Sequence, residues 1–104
     1  MSYYNDDLYE FEQKHTHEFI GDVSIYNNHD HRVAGVSSEA IEVKDGHIHE
    51  VLTNTSFDMD HYHRVSAKSS LQIPVSNNKH IHLIQGITTV DKNHNHSFEF
   101  TTLI

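Results

Sequence analysis

Apolar and polar positions alternate along this chain in short runs. His15, His17, Phe19, Val23 and Ile25 share one parity, while Thr16, Glu18, Asp22 and Ser24 fill most of the other. A period of two is the signature of a strand with one buried face. The pattern returns with His47, His49, Val51 and Phe57, and again with His80, His82, Ile84 and Val90. Each run is followed by a three-residue polar stretch ending in Asn or Asp: Tyr26-Asn27-Asn28, Asp58-Met59-Asp60 and Asp91-Lys92-Asn93. Asn and Asp tolerate the left-handed conformation that a three-residue hairpin loop requires last. Three hairpins are therefore predicted, with Ile25 opposite His29, Val23 opposite His31, and Val33 following on the same inner face.

The hairpins belong to an internal repeat. Aligned on His15, His47 and His80, the chain divides into units 15–46, 47–79 and 80–104, in which Phe19, Val51 and Ile84 correspond, as do Gly21, Thr53 and Gly86; Ser24, Ser56 and Thr89; and Val33, Val65 and Phe98. The first two units add Ile41-Glu42-Val43 and Ile73-Pro74-Val75, ending in Lys44-Asp45-Gly46 and Ser76-Asn77-Asn78-Lys79, which read as turns. The predicted fold is all-β, with three hairpin repeats in a pseudo-three-fold arrangement. Residues 1–14, with four acidic and four aromatic side chains, stand outside the repeat as an N-terminal arm.

Every histidine of the chain lies in a His-x-His pair: His15/His17, His29/His31, His47/His49, His61/His63, His80/His82 and His94/His96. Chance placement would give roughly 1.4 such pairs, so the pairing is a property of the repeat. Residues i and i+2 of a strand project from one face, and one pair can offer two imidazole nitrogens to one ion. Within a hairpin the two pairs are about eight residues apart, roughly 27 Å at strand rise, so each ion must draw pairs from different units or chains. Two partitions follow. Either the base pairs (His15, His17, His47, His49, His80, His82) and the tip pairs (His29, His31, His61, His63, His94, His96) form two six-histidine sites, or the pairs combine two at a time into three four-histidine sites. Three repeats match three-fold symmetry and favour the first.

A six-imidazole octahedron suits iron or nickel better than zinc, which prefers four ligands; cobalt and copper also take imidazole well, and the absence of cysteine leaves only nitrogen and oxygen donors. Without a metal, twelve inward imidazoles would leave many polar nitrogens unpaired at about 1–3 kcal/mol each.

At 104 residues the chain fits one domain whose small core gains from metal or oligomerisation. A formal charge of −8 argues against nucleic acid and anionic membranes as partners and for cations. No apolar run approaches the ~20 residues of a spanning helix, and the first 14 residues lack a signal-peptide pattern, so the default expectation is a cytoplasmic protein, with an extracellular or assembly-associated place left open. A cupin-type enzyme needs a carboxylate and an open coordination position beside its His-x-His. Glu18 and Glu50 directly follow a pair and should face solvent, paired across strands with Arg32 and Arg64, and the third unit has Leu83 there. An enzyme is not expected.

The run His15-Thr16-His17-Glu18-Phe19-Ile20-Gly21, then His29-Asp30-His31-Arg32-Val33-Ala34-Gly35-Val36-Ser37, resembles the YmaF family of small uncharacterised bacterial proteins. So do Gly46-His47-Ile48-His49-Glu50, Lys79-His80-Ile81-His82 and Phe98 to Ile104, which extends the resemblance over Lys14 to Ile104. It implies no established activity. The pairs alone are also similar to the His-x-His motifs of bacteriophage tail-fibre and spike tips, where that resemblance implies iron held octahedrally by three pairs on a trimer axis. The expected function is a metal-stabilised structural or assembly protein forming a homo-oligomer or fibre, with metal sequestration or sensing as the alternative and a cupin-like metalloenzyme a distant third.

Overall fold

The computed structural model describes residues 15–104; the predicted arm, residues 1–14, lies outside the described residues. The described chain is all-β, ten short strands in five antiparallel hairpins. The long hairpins pair β1 (Glu18–Asp22) with β2 (Arg32–Val36), β5 (Glu50–Asn54) with β6 (Arg64–Lys68), and β9 (Leu83–Ile87) with β10 (Ser97–Thr101). Two short hairpins, β3 (Ile41–Val43) with β4 (Gly46–Ile48) and β7 (Ile73–Val75) with β8 (Lys79–Ile81), lead into the second and third long ones.

Backbone hydrogen bonds join the long hairpins in a ring. Near the base, the amides of Ser38, Ser70 and Leu103 donate to the carbonyls of Glu50, Leu83 and Glu18, at 2.8–2.9 Å. Toward the tip, the amides of Ser56, Thr89 and Ser24 donate to the carbonyls of Arg32, Arg64 and Ser97, at 2.8–3.1 Å. The first hairpin thus bonds the second, the second the third, and the third the first, at both levels.

Phe19, Val23, Val33, Val51, Val65, Ile84 and Phe98 form the apolar core, with Ala67 and Phe100 packed against it. Phe19 sits opposite Gly35 and Phe98 opposite Gly86, where a Cβ would come within 3.0 Å of the facing ring; the second hairpin fills the same level with Val51 and Ala67. Aromatic with glycine, or valine with alanine, are two ways to fill one layer.

Two expectations are corrected. The hairpin loops contain two residues, not three: Tyr26 pairs with His29, Asp58 with His61 and Asp91 with His94, around Asn27-Asn28, Met59-Asp60 and Lys92-Asn93, all at positive φ. Such a turn needs a left-handed conformation at both central positions. It also shifts the register by one residue relative to the strands, where Asp22 pairs with Arg32. The first strand absorbs the extra residue in a bulge beyond Val23, and Ile25, Phe57 and Val90 turn outward, 75%, 67% and 66% exposed, instead of inward. Glu18 and Glu50 are exposed as expected, but they face Val36 and Lys68 across the strands, while Arg32 and Arg64 face Asp22 and Asn54.

Candidate metal centres

The core separates two histidine clusters. His15, His17, His47, His49, His80 and His82 gather at the base with one ligand nitrogen each, all within 4.8 Å of one another. At the tip, His29, His31, His61, His94 and His96 do the same. The ring of His63 completes that cluster, 4.8–4.9 Å from the rings of His31, His61, His94 and His96. Each cluster draws one pair from each long hairpin or the residues leading into it. The rings fall into two groups of six, not three groups of four.

The packing within each group is octahedral. At the base the rings meet edge to face at centroid separations of 4.4–5.2 Å, except His15 with His82, His17 with His47 and His49 with His80, which stand opposite one another. At the tip the opposed pairs are His29 with His63, His31 with His94 and His61 with His96. The first histidines of the three base pairs, His15, His47 and His80, share one triangular face, and His17, His49 and His82 the other. His80 Nε2 lies 3.1, 3.0 and 3.2 Å from the Nε2 atoms of His15, His17 and His47, and His31 Nε2 lies 3.1 Å from that of His61. An octahedron with metal–nitrogen bonds of about 2.1 Å has adjacent donors about 3.0 Å apart.

The second histidine of every pair is fixed by the neighbouring hairpin. Nδ1–H of His17, His49 and His82 donates to the carbonyls of Leu103, Ser38 and Ser70 at 2.9 Å. His31, His63 and His96 donate to Ser56, Thr89 and Ser24 at 3.0, 2.9 and 2.7 Å. With the proton on Nδ1, each Nε2 presents a bare lone pair to the cluster. The Nε2 atoms of His29, His49, His63, His82, His94 and His96 are buried with no hydrogen-bond partner among the described residues. At His80, one proton could not serve three imidazole neighbours at about 3 Å. Converging lone pairs repel; a cation at their centre removes the conflict.

Burial also favours the neutral form of seven of these rings. Desolvation, followed by the adjoining histidines, pushes His15 and His47 down to about 4. His82 is pushed down to about 4 by burial against the opposing hydrogen bond to Ser70. Burial lowers His31, His49, His63 and His96 as well.

Residues that the histidine pattern does not reveal hold the pairs in place. Hydroxyls of Ser37, Ser69 and Thr102 accept the amides of His17, His49 and His82 at 2.9–3.0 Å, and those of Thr55 and Thr88 accept His63 and His96 at 3.0–3.1 Å. All five are buried. Each sits directly opposite its histidine, and its own amide also donates to that histidine's carbonyl. Their sequence signal is the recurrence of hydroxyl doublets, Ser37-Ser38 with Ser69-Ser70 and Thr55-Ser56 with Thr88-Thr89, at the period of the repeat.

No helix among the described residues is long and apolar enough to cross a membrane. No curated protein and no solved structure matches the chain. The model of the YmaF family, described as spore germination protein GerY/YamF, matches residues 12–104, and the chain belongs to that family.

Proposed function

We propose that the chain is a transition-metal-binding β-repeat protein, in which a pseudo-three-fold arrangement of hairpins holds two structural ions, iron foremost, one in each six-histidine cluster. The observation that carries this reading is the convergence of Nε2 atoms at 3.0–3.2 Å in an octahedral array, with Nδ1 of the second histidine of each pair bonded to a carbonyl of the neighbouring hairpin. In each cluster the six imidazoles would saturate the ion and leave no position for substrate, which supports a structural role over a catalytic one. The ions would crosslink three hairpins that share only a small apolar core, as structural metals do in other small domains. The result is a rigid unit fitted to assembly with further copies. The family's description as a spore germination protein is a reason to seek the phenotype of a deletion in germination.

The test is elemental analysis of protein purified without a histidine-affinity step, together with its native mass and its melting temperature before and after chelation. Two ions per chain and a large drop in melting temperature on chelation are expected. Less than one ion per chain, with a melting temperature unmoved by chelation, would refute the proposal. Rapid exchange of the ions at neutral pH would favour the sequestration or sensing reading.

A further inference from the structure

The six imidazoles of the tip cluster are not held alike. Five have Nδ1 bonded to a backbone carbonyl. His31, His63 and His96 use Ser56, Thr89 and Ser24 of neighbouring hairpins, and His61 and His94 use Met59 and Lys92 of their own turns, at 2.9 and 3.1 Å. Nδ1 of His29 has no such partner among the described residues, although its Nε2 is buried in the cluster like those of His63, His94 and His96.

The rings standing opposite differ as well. Asp58 Oδ2 lies 3.4 Å from Nδ1 of His31, and Asp91 Oδ2 lies 3.3 Å from Nδ1 of His63. The hydroxyls of Ser56 and Thr89 donate to these two carboxylates and hold them there. In the first hairpin Tyr26 occupies the corresponding place. A carboxylate behind a ligating imidazole makes that imidazole a stronger donor. Two ligands on opposite sides of an ion compete for the same acceptor orbital, so a stronger donor weakens the bond opposite it. Opposite His63 is His29, and opposite His31 is His94. His94 is kept in place by its bond to Lys92 and by Tyr26, stacked on it with centroids 4.5 Å apart. His29 has a strengthened ligand opposite and no hydrogen bond behind. Turning away would cost His29 its metal bond alone, whereas each of the other five would also break a hydrogen bond to a carbonyl.

We propose that the tip centre, six-coordinate at rest, binds one small exogenous donor in place of His29: a neutral or anionic molecule offering a single lone pair, comparable in size to azide or imidazole. In the exchange the bond from His29 Nε2 to the ion breaks, the incoming lone pair takes its position, and no electron is transferred. The proposal rests on the metal-binding reading above and adds a ligand-responsive position to it.

The test uses the full chain loaded with iron, oxidised to iron(III), its content measured by elemental analysis, and titrated with azide. Bound azide is counted per chain by calorimetry and charge-transfer absorbance. The parent should bind azide at the tip. His29→Ala should keep both irons and the parent's azide count, because the opened position replaces the exchangeable one. It should bind azide roughly tenfold more tightly or better, since no imidazole competes. His94→Ala, which opens a second position while His29 stays exchangeable, should raise the count by one. Comparing each variant with the parent cancels whatever azide the base cluster takes. An azide count that rises by one in His29→Ala, an unchanged affinity there, or loss of the tip iron from that variant would overturn the inference while leaving the metal-binding reading intact. Fewer than two irons per parent chain contradicts that reading itself and the inference with it.

Discussion

Removing one histidine pair should cost one ion and spare the other. In the double variant His29→Ala, His31→Ala the tip loses two adjacent donors. The oppositions His29–His63 and His31–His94 are broken and only His61–His96 survives. Four imidazoles remain, too few to close an octahedron. The base cluster lies beyond the apolar layer: His17 and Val23, whose amide bonds the His31 carbonyl, are six residues apart on one strand, about 20 Å at strand rise. Perturbations separated by more than about 7–10 Å, with no shared partners, usually add independently.

The magnitude follows from linkage. An ion at a thousand times its dissociation constant stabilises the folded state by about 4 kcal/mol. In a domain of this size each kcal/mol moves the melting temperature by about 4–8 °C. The variant should therefore retain one ion per chain and melt about 15–30 °C below the parent at equal free metal, with a further drop on chelation. Elemental analysis and a thermal scan at fixed free metal decide the matter. Loss of both ions would show that the clusters form only together, and retention of both would show that the tip octahedron is not the binding unit.

Acidification should destabilise the fold within a defined window. Because His15, His47 and His82 are depressed from 6.5 to about 4, the unfolded chain binds more protons between those values, and stability present above pH 6.5 is lost as pH falls toward 4; a melting temperature constant from pH 7 to 4 would contradict this. Ile84→Ala, at a fully buried position, should cost about 2–5 kcal/mol in denaturant titration, whereas Leu52→Ala, 80% exposed, should stay within about 0.5 kcal/mol. Gly21→Ala would bring a Cβ to 2.5 Å from the Phe100 ring and should cost about 1–3 kcal/mol, measured the same way. Met59 holds φ at 54° in the turn of the second hairpin, so Met59→Asn should raise stability, by about 1 kcal/mol at most, without changing metal content.

Strand parity from His17 to Val23, and the three long hairpins, could be read from the chain because a buried strand face imposes a period of two on adjacent residues, whereas the two short hairpins β3–β4 and β7–β8 showed there only as turns. That rule stops where the backbone departs from regular pleating. Nothing in Ile25, Phe57 or Val90 as residue types marks the bulge that turns them outward; it follows from fitting a two-residue turn to strands in the wrong register for it. The grouping into base and tip pairs could be read because strand rise forbids one hairpin from folding both its pairs onto one ion. The second layer of the centres was hidden for a different reason. The oxygens that orient His31, His63 and His96 belong to Ser56, Thr89 and Ser24 on neighbouring hairpins, and only the ring closure brings them there. Asp58 and Asp91, meanwhile, look like ordinary polar turn residues.

That closure would also determine when a molecule could accept the proposed ions. The carbonyl that orients His17 belongs to Leu103, 86 residues away, and the amide of Leu103 bonds Glu18. Each octahedron takes a pair from all three hairpins, so a chain that has emerged only as far as its second hairpin can offer at most four donors to either centre. If the clusters hold metal as proposed, metal retention would be a test of completion: truncated or mispaired chains would be left with incomplete ligand sets, and only a fully closed ring could fill both centres.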